Sequence, residues 1–85
     1  MKDYCYMAEL NPSYILYIKY SFGLYYVCVM NAERTTDYSV YGGYKTLQGA
    51  ENRLKKSAAS YLINKIKYSY GSKQTIKEGK FWKGK

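Results

Sequence analysis

The chain has no histidine, one proline, two cysteines and six carboxylates in 85 residues, and its longest apolar run is Leu24 to Met30. Without histidine the commonest general base and the commonest metal ligand are missing. Two thiols alone cannot complete a four-ligand zinc site. The six acids form no close pair in sequence, so the expectation is a protein that is not an enzyme and needs no metal or cofactor. Leu24 to Met30 falls far short of the ~20 residues of a membrane span, so nothing here is expected to cross a bilayer and no membrane partner is expected. Asp3 and Glu9 interrupt the start of the chain where a secretory signal would be apolar. Cys5 and Cys28 therefore read as buried, reduced thiols of a cytoplasmic protein, with a disulfide between them as the alternative.

What the chain does have is positive charge, unevenly divided. Eleven of its 14 Lys and Arg lie between residues 45 and 85, where only Glu51 and Glu78 oppose them, while the first 44 residues are close to neutral. Thirteen tyrosines run through both halves. Unpaired cations at this density repel one another and point to an anionic partner. A content of 47% apolar and 19% aromatic residues is that of a folding chain. The length suits one small domain that buries about 60% of its unfolded surface. Residues 1–72 are expected to form it, and 73–85 a basic aromatic tail or a last strand.

Tyr14 to Tyr20 and Leu24 to Met30 are almost wholly β-branched or aromatic and read as two strands joined by a hairpin at Ser21-Phe22-Gly23. A polar loop over 31–36 leads to a third strand, Asp37 to Tyr44, and Asn11-Pro12-Ser13 reads as a turn that sets off a weakly typed N-terminus. From Thr46, a hydroxyl cap, the period becomes helical. Leu47, Ala50, Leu54, Ala58, Tyr61, Leu62 and Ile66 then form one apolar stripe. The expected fold is α+β: a three-stranded antiparallel sheet packed on one long helix, with room for a short fourth strand over 75–82.

Three surfaces could meet an anion. If the helix covers Leu16, Ile18 and Val40, alternation turns Tyr17, Lys19 and Tyr41 outward as a stacking platform. The ordinary account is that tyrosine simply suits strands. On the helix, Arg53, Lys55 and Lys56 with Lys65 and Lys67 further on could track a phosphate backbone, or could be a solvated face. In the tail, Lys80, Phe81, Trp82 and Lys83 combine cations with two rings, the alternative being that the rings pack on the domain.

The run Gly42-Gly43-Tyr44-Lys45-Thr46-Leu47-Gln48-Gly49-Ala50-Glu51 resembles the sheet-to-helix junction of three-stranded-sheet DNA-binding domains of the plant Apetala and phage-integrase arm-binding types. The likeness spans about residues 14 to 66 and implies a sheet laid in the major groove. Those domains carry several Arg and Trp on their strands, where this chain has Lys19. In size, in Tyr and Lys content and in lacking catalytic groups, the chain is also similar to accessory proteins of phages and mobile elements. These include anti-CRISPR proteins that block a nucleoprotein complex, and the likeness implies the cytoplasm of a host cell. The function expected from all this is non-enzymatic binding of nucleic acid or a nucleoprotein complex. The alternatives are an inhibitor of a host defence protein, acting on its acidic or nucleic-acid-binding site, and a structural subunit that oligomerises through the sheet.

Overall fold

Backbone pairing, rather than the helix, organises this chain. The computed structural model describes residues 2–11, 14–61 and 65–79. The three expected strands are present as β2 (Tyr14–Ser21), β3 (Leu24–Asn31) and β4 (Asp37–Tyr44). They are joined by β1 (Asp3–Asn11) and β5 (Lys67–Ser72) in a five-stranded antiparallel sheet of order β4-β3-β2-β1-β5. Two helices, α1 (Leu47–Ala59) and α2 (Lys73–Glu78), complete the fold. The expected three-stranded sheet on one long helix is thus overturned, and so is the three-stranded architecture that the resemblance implied.

Each departure has a local cause. β1 reads weakly because Met7, Ala8, Glu9 and Leu10 are good helix formers. Pairing with β2 on one side and β5 on the other overrides that propensity and makes it an interior strand. α1 ends at Ala59, well before the expected Ile66, because the backbone tightens there. The Ser60 N–H bonds both Lys56 O and Ser57 O, the Tyr61 N–H bonds Ala58 O, and the Ser60 hydroxyl donates to Ser57 O at 2.7 Å. Residues 73–78, expected in a tail or a strand from Thr75, are helical. Ser72 caps them by accepting from the Thr75 N–H at 3.2 Å, and Gly79 closes them in the left-handed region. Leu62, the turn at Pro12-Ser13 and the tail residues Lys80, Phe81, Trp82 and Lys83 lie outside the described residues.

Both helices pack on one face of the sheet. Leu16, Ile18, Val27 and Val29 meet Leu47, Ala50, Leu54 and Ala58 of α1 there, and Ile76 of α2 is fully buried in the same core. Thr46 caps α1 as expected, its Oγ1 accepting from the Gly49 N–H at 3.1 Å. The hairpin turn at Phe22-Gly23 has both residues at positive φ, which Gly23 supplies without strain. Gly42 is required for a different reason. A Cβ there would come within 2.1 Å of the Tyr26 ring, which crosses its backbone.

One buried charge ties helix to sheet. Glu51, 5% exposed, accepts the Cys5 N–H at 2.8 Å where β1 bulges against β5, and also accepts from Gln48 Nε2 at 2.9 Å. Lys55 Nζ lies 3.7 Å from the same carboxylate. Replacing Glu51 with Ala leaves a buried strand N–H without an acceptor, and urea unfolding should show a loss of about 2–4 kcal/mol. Glu51→Gln keeps an acceptor oxygen and should lose less than half of that. Equal losses would mean that volume, not the hydrogen bond, is what matters.

Candidate anion-binding site

The register brings five strand ends together. Asp3 faces Ser72, Tyr20 faces Tyr25 and Tyr25 faces Tyr44, so β1 and β3 begin where β2, β4 and β5 end. α1 starts from this end of the sheet, one residue after its cap Thr46, and α2 follows β5 directly. A cleft of about 280 Å³ opens here, walled by Tyr4, Tyr20 and Tyr25, by Lys45, Lys73 and Lys77, and by Thr46, Leu47 and Gln48 at the start of α1. Among the described residues that line it there is no carboxylate. Lys73 and Lys77 are four apart on α2 and share a face.

Lys77 in the cleft and Lys2 beside it lean on aromatic rings. Lys77 Nζ lies 5.3 Å from the centroid of Tyr20, and Lys2 Nζ lies 5.1 Å from that of Tyr4 while donating to Gln48 Oε1 at 3.0 Å. The Tyr20 and Tyr25 rings are tilted against each other, 4.8 Å between centroids. Tyr25 is 3% exposed, and its hydroxyl is buried without a hydrogen-bond partner. Burial raises the pKa of that hydroxyl, and the neighbouring Tyr20 and Tyr4 raise it further. Beside the cleft, Phe22 projects from the hairpin tip almost fully exposed, in a left-handed conformation at φ 51° that costs a non-glycine residue on the order of 1 kcal/mol.

The residues anticipated from sequence are distributed differently. Tyr17 does lie on the face away from α1, but it is completely buried and donates to Asp37. It belongs to a second apolar cluster with Met7, Ile15, Cys28 and Met30, so the centre of that face is core and not a stacking platform. Tyr41 is on the opposite face from the one expected. Register shifts between β3 and β4 turn it toward α1, where the Arg53 guanidinium lies 3.7 Å from its ring centroid. Arg53 favours the Tyr41 phenolate and holds its pKa below the ordinary value. Lys19 is half-buried and lines a shallow hollow with Phe22, Tyr26 and Ser39.

Arg53, Lys55 and Lys56 do sit on α1, but not as a free basic stripe. Arg53 is taken up by Tyr41, and Lys55 by Glu51 and by the Tyr70 ring, 5.5 Å away. Lys56 is exposed in the last turn, where it suits the negative helix end. Because α1 stops at Ala59, Lys65 and Lys67 do not continue its face. Lys67 opens β5, opposite Glu9. The cleft lysines Lys45, Lys73 and Lys77, and Lys2 beside them, were missed because they are scattered over 76 positions of sequence and meet only through strand pairing. The one legible sign was Lys45 immediately before the Thr46 cap, with no acid in the first turn of the helix.

The two thiols are free and buried on opposite faces, Cys5 under α1 and Cys28 in the second cluster, which rules out a disulfide between them. No helix among the described residues is long and apolar enough to cross a membrane. Among the same residues, no group of three Cys, Asp or Glu comes together as a metal-holding set. No protein-family profile, no curated protein and no solved structure matches this chain.

The buried acids predict how stability responds to base. Burial pushes the Cys5 thiol from its ordinary 9.0 up to about 11 and raises Cys28, while burial and then the hydrogen bond to Asp37 raise Tyr17. Each is protonated in the native state at a pH where the unfolded chain has released its proton. Stability is thus fully present below pH 9 and declines as pH rises through 9 and 10, the ordinary thiol and phenol values. Tyr41 works in the opposite direction. Urea midpoints measured from pH 7 to 11 should fall steadily above pH 9, and Cys28→Ser should make the fall shallower. A midpoint that is flat to pH 11 would contradict the burial of these groups.

Proposed function

We propose that this chain is a non-enzymatic nucleic-acid-binding protein whose contact surface is the lysine- and tyrosine-lined end of the sheet. The observation that carries the reading is the convergence of Lys45, Lys73 and Lys77, with Lys2 beside them, on one cleft with no acid among its described lining residues. Phosphates would neutralise these cations, and the exposed Phe22 ring would stack on a base without sequence preference. Two buried free thiols suit a reducing compartment, and a cytoplasmic location is part of the proposal.

The same surface would suit an acidic site on a protein, as a phage-type inhibitor would require. The fully exposed Phe22 favours such a contact, because an apolar tip beside cations resembles the anchor of a protein interface. The two readings separate by whether the purified chain binds nucleic acid alone.

Fluorescence anisotropy with a short single-stranded oligonucleotide should show affinity falling with salt. Four phosphate contacts correspond to a log-log slope of about −3. Lys73→Glu with Lys77→Glu should weaken binding about tenfold or more while the thermal midpoint stays within a few degrees. Lys55→Glu with Lys56→Glu should change it less than about threefold, since Lys55 is already paired. Absence of binding at low salt, with capture of a protein that survives nuclease treatment, would favour the inhibitor reading instead.

A further inference from the structure

The cleft has properties that a merely solvated basic patch does not. The first turn of α1 carries no acid, and Lys45 precedes its cap, so the positive end of a 13-residue helix is left uncompensated. Of its leading N–H groups, that of Gly49 is held by Thr46 Oγ1 and that of Ala50 by Thr46 O, which leaves those of Leu47 and Gln48 without an intrahelical partner. Lys73 and Lys77 bring two more charges from α2 to the same opening. Tyr25, whose buried hydroxyl is a donor in want of an acceptor, is one of the residues that line the same cleft. An unsatisfied buried polar group is destabilising, and native structures contain few of them.

Resting on the nucleic-acid reading and sharpening it, we infer that the cleft is a discrete site for one phosphate group. The Leu47 and Gln48 N–H groups and the ammonium groups of Lys45, Lys73 and Lys77 hold its oxygens, and Tyr25 donates from the floor. A tetrahedral oxyanion suits this donor set because its several oxygens accept from different directions at once, and ammonium and helix-end donors favour its charge. A volume of about 280 Å³ holds a single phosphate-bearing unit rather than a length of strand. The remaining cations would then act as general attraction, and binding would be localised in the cleft instead of spread over the basic half.

Two-dimensional amide NMR of the full chain distinguishes the cases. Inorganic phosphate, titrated against chloride at matched ionic strength, should move the amides of Leu47, Gln48 and Lys73 and saturate. Chloride should not. Lys73→Gln with Lys77→Gln, both exposed positions, should weaken phosphate about tenfold. Tyr25→Phe should weaken it measurably without lowering the thermal midpoint, because the hydroxyl makes no bond in the free protein. Oligonucleotides with and without a 5′-phosphate locate the source. A preference of about tenfold for the phosphorylated strand assigns the site to strand ends, and equal affinity, with the same loss in the lysine variant, assigns it to internal phosphates. If chloride reproduces the shifts, or the lysine and Tyr25 variants bind phosphate as wild type does, the site is refuted. An oligonucleotide that binds wild type while Leu47 and Gln48 stay unmoved refutes the cleft and leaves nucleic-acid binding standing. Saturable phosphate binding with no oligonucleotide binding at any salt does the reverse.

Discussion

The hydrogen bond from the Cys5 N–H to the buried Glu51 carboxylate is the constraint on which the rest of the molecule depends. A β-bulge takes a strand amide out of the ladder, and an interior strand has no water to satisfy it. Glu51 supplies the acceptor from the helix side, and Gln48 and Lys55 keep that carboxylate from being an isolated buried charge. The bond fixes how α1 lies over β1. With α1 held there, its first turn stands at the end of the sheet where the strand termini gather, and Leu47, Ala50, Leu54 and Ala58 are committed to the core. The same carboxylate that locks the fold therefore also aims the positive helix end at the cleft.

Charge placement follows from this geometry. On α1 two of the three cations are used inside the fold: Arg53 covers Tyr41, and Lys55 bridges Glu51 and Tyr70. At the end of the sheet the contacts differ, since among the described residues Lys2 and Lys77 meet rings and an amide and no acid. A ring face attracts an ammonium group while leaving its charge uncancelled, so these lysines are positioned and still able to meet an anion. Tyrosine thus does two kinds of work in this protein. It fills the sheet where it is buried, as at Tyr17, and it holds lysines in place where it borders solvent, as at Tyr20.

The far face of the sheet shows why alternation alone misleads. Strand period correctly separates Leu16 and Ile18 from Tyr17 and Lys19, and Tyr17 does point away from the helix. Pointing away from a helix is not the same as pointing into solvent. With Met7, Ile15, Cys28 and Met30 beside it and Asp37 accepting from its hydroxyl, Tyr17 sits in a second core. Tyr41 fails for another reason. An irregularity in the β3–β4 ladder changes the face of the residues that follow it up to the next irregularity, and Tyr41 lies between two such shifts.

What this sequence determined by itself is local. The β-branched and aromatic runs made β2, β3 and β4, the Thr46 hydroxyl began a helix whose buried stripe includes Leu47, Ala50, Leu54 and Ala58, and the charge imbalance marked the C-terminal half as the basic one. These depend on neighbours a few residues apart, where propensity and period act directly. Tertiary structure decided the rest. It recruited a helix-prone segment as the interior strand β1, ended α1 at Ala59, made a strand and a short helix of residues 67–78, and buried Tyr17. It also gathered Lys2, Lys45, Lys73 and Lys77 around one cleft. The physical reason is common to all of these. Strand pairing and burial join residues far apart in the chain, and the energy of those contacts exceeds the fraction of a kcal/mol by which local propensity separates one conformation from another.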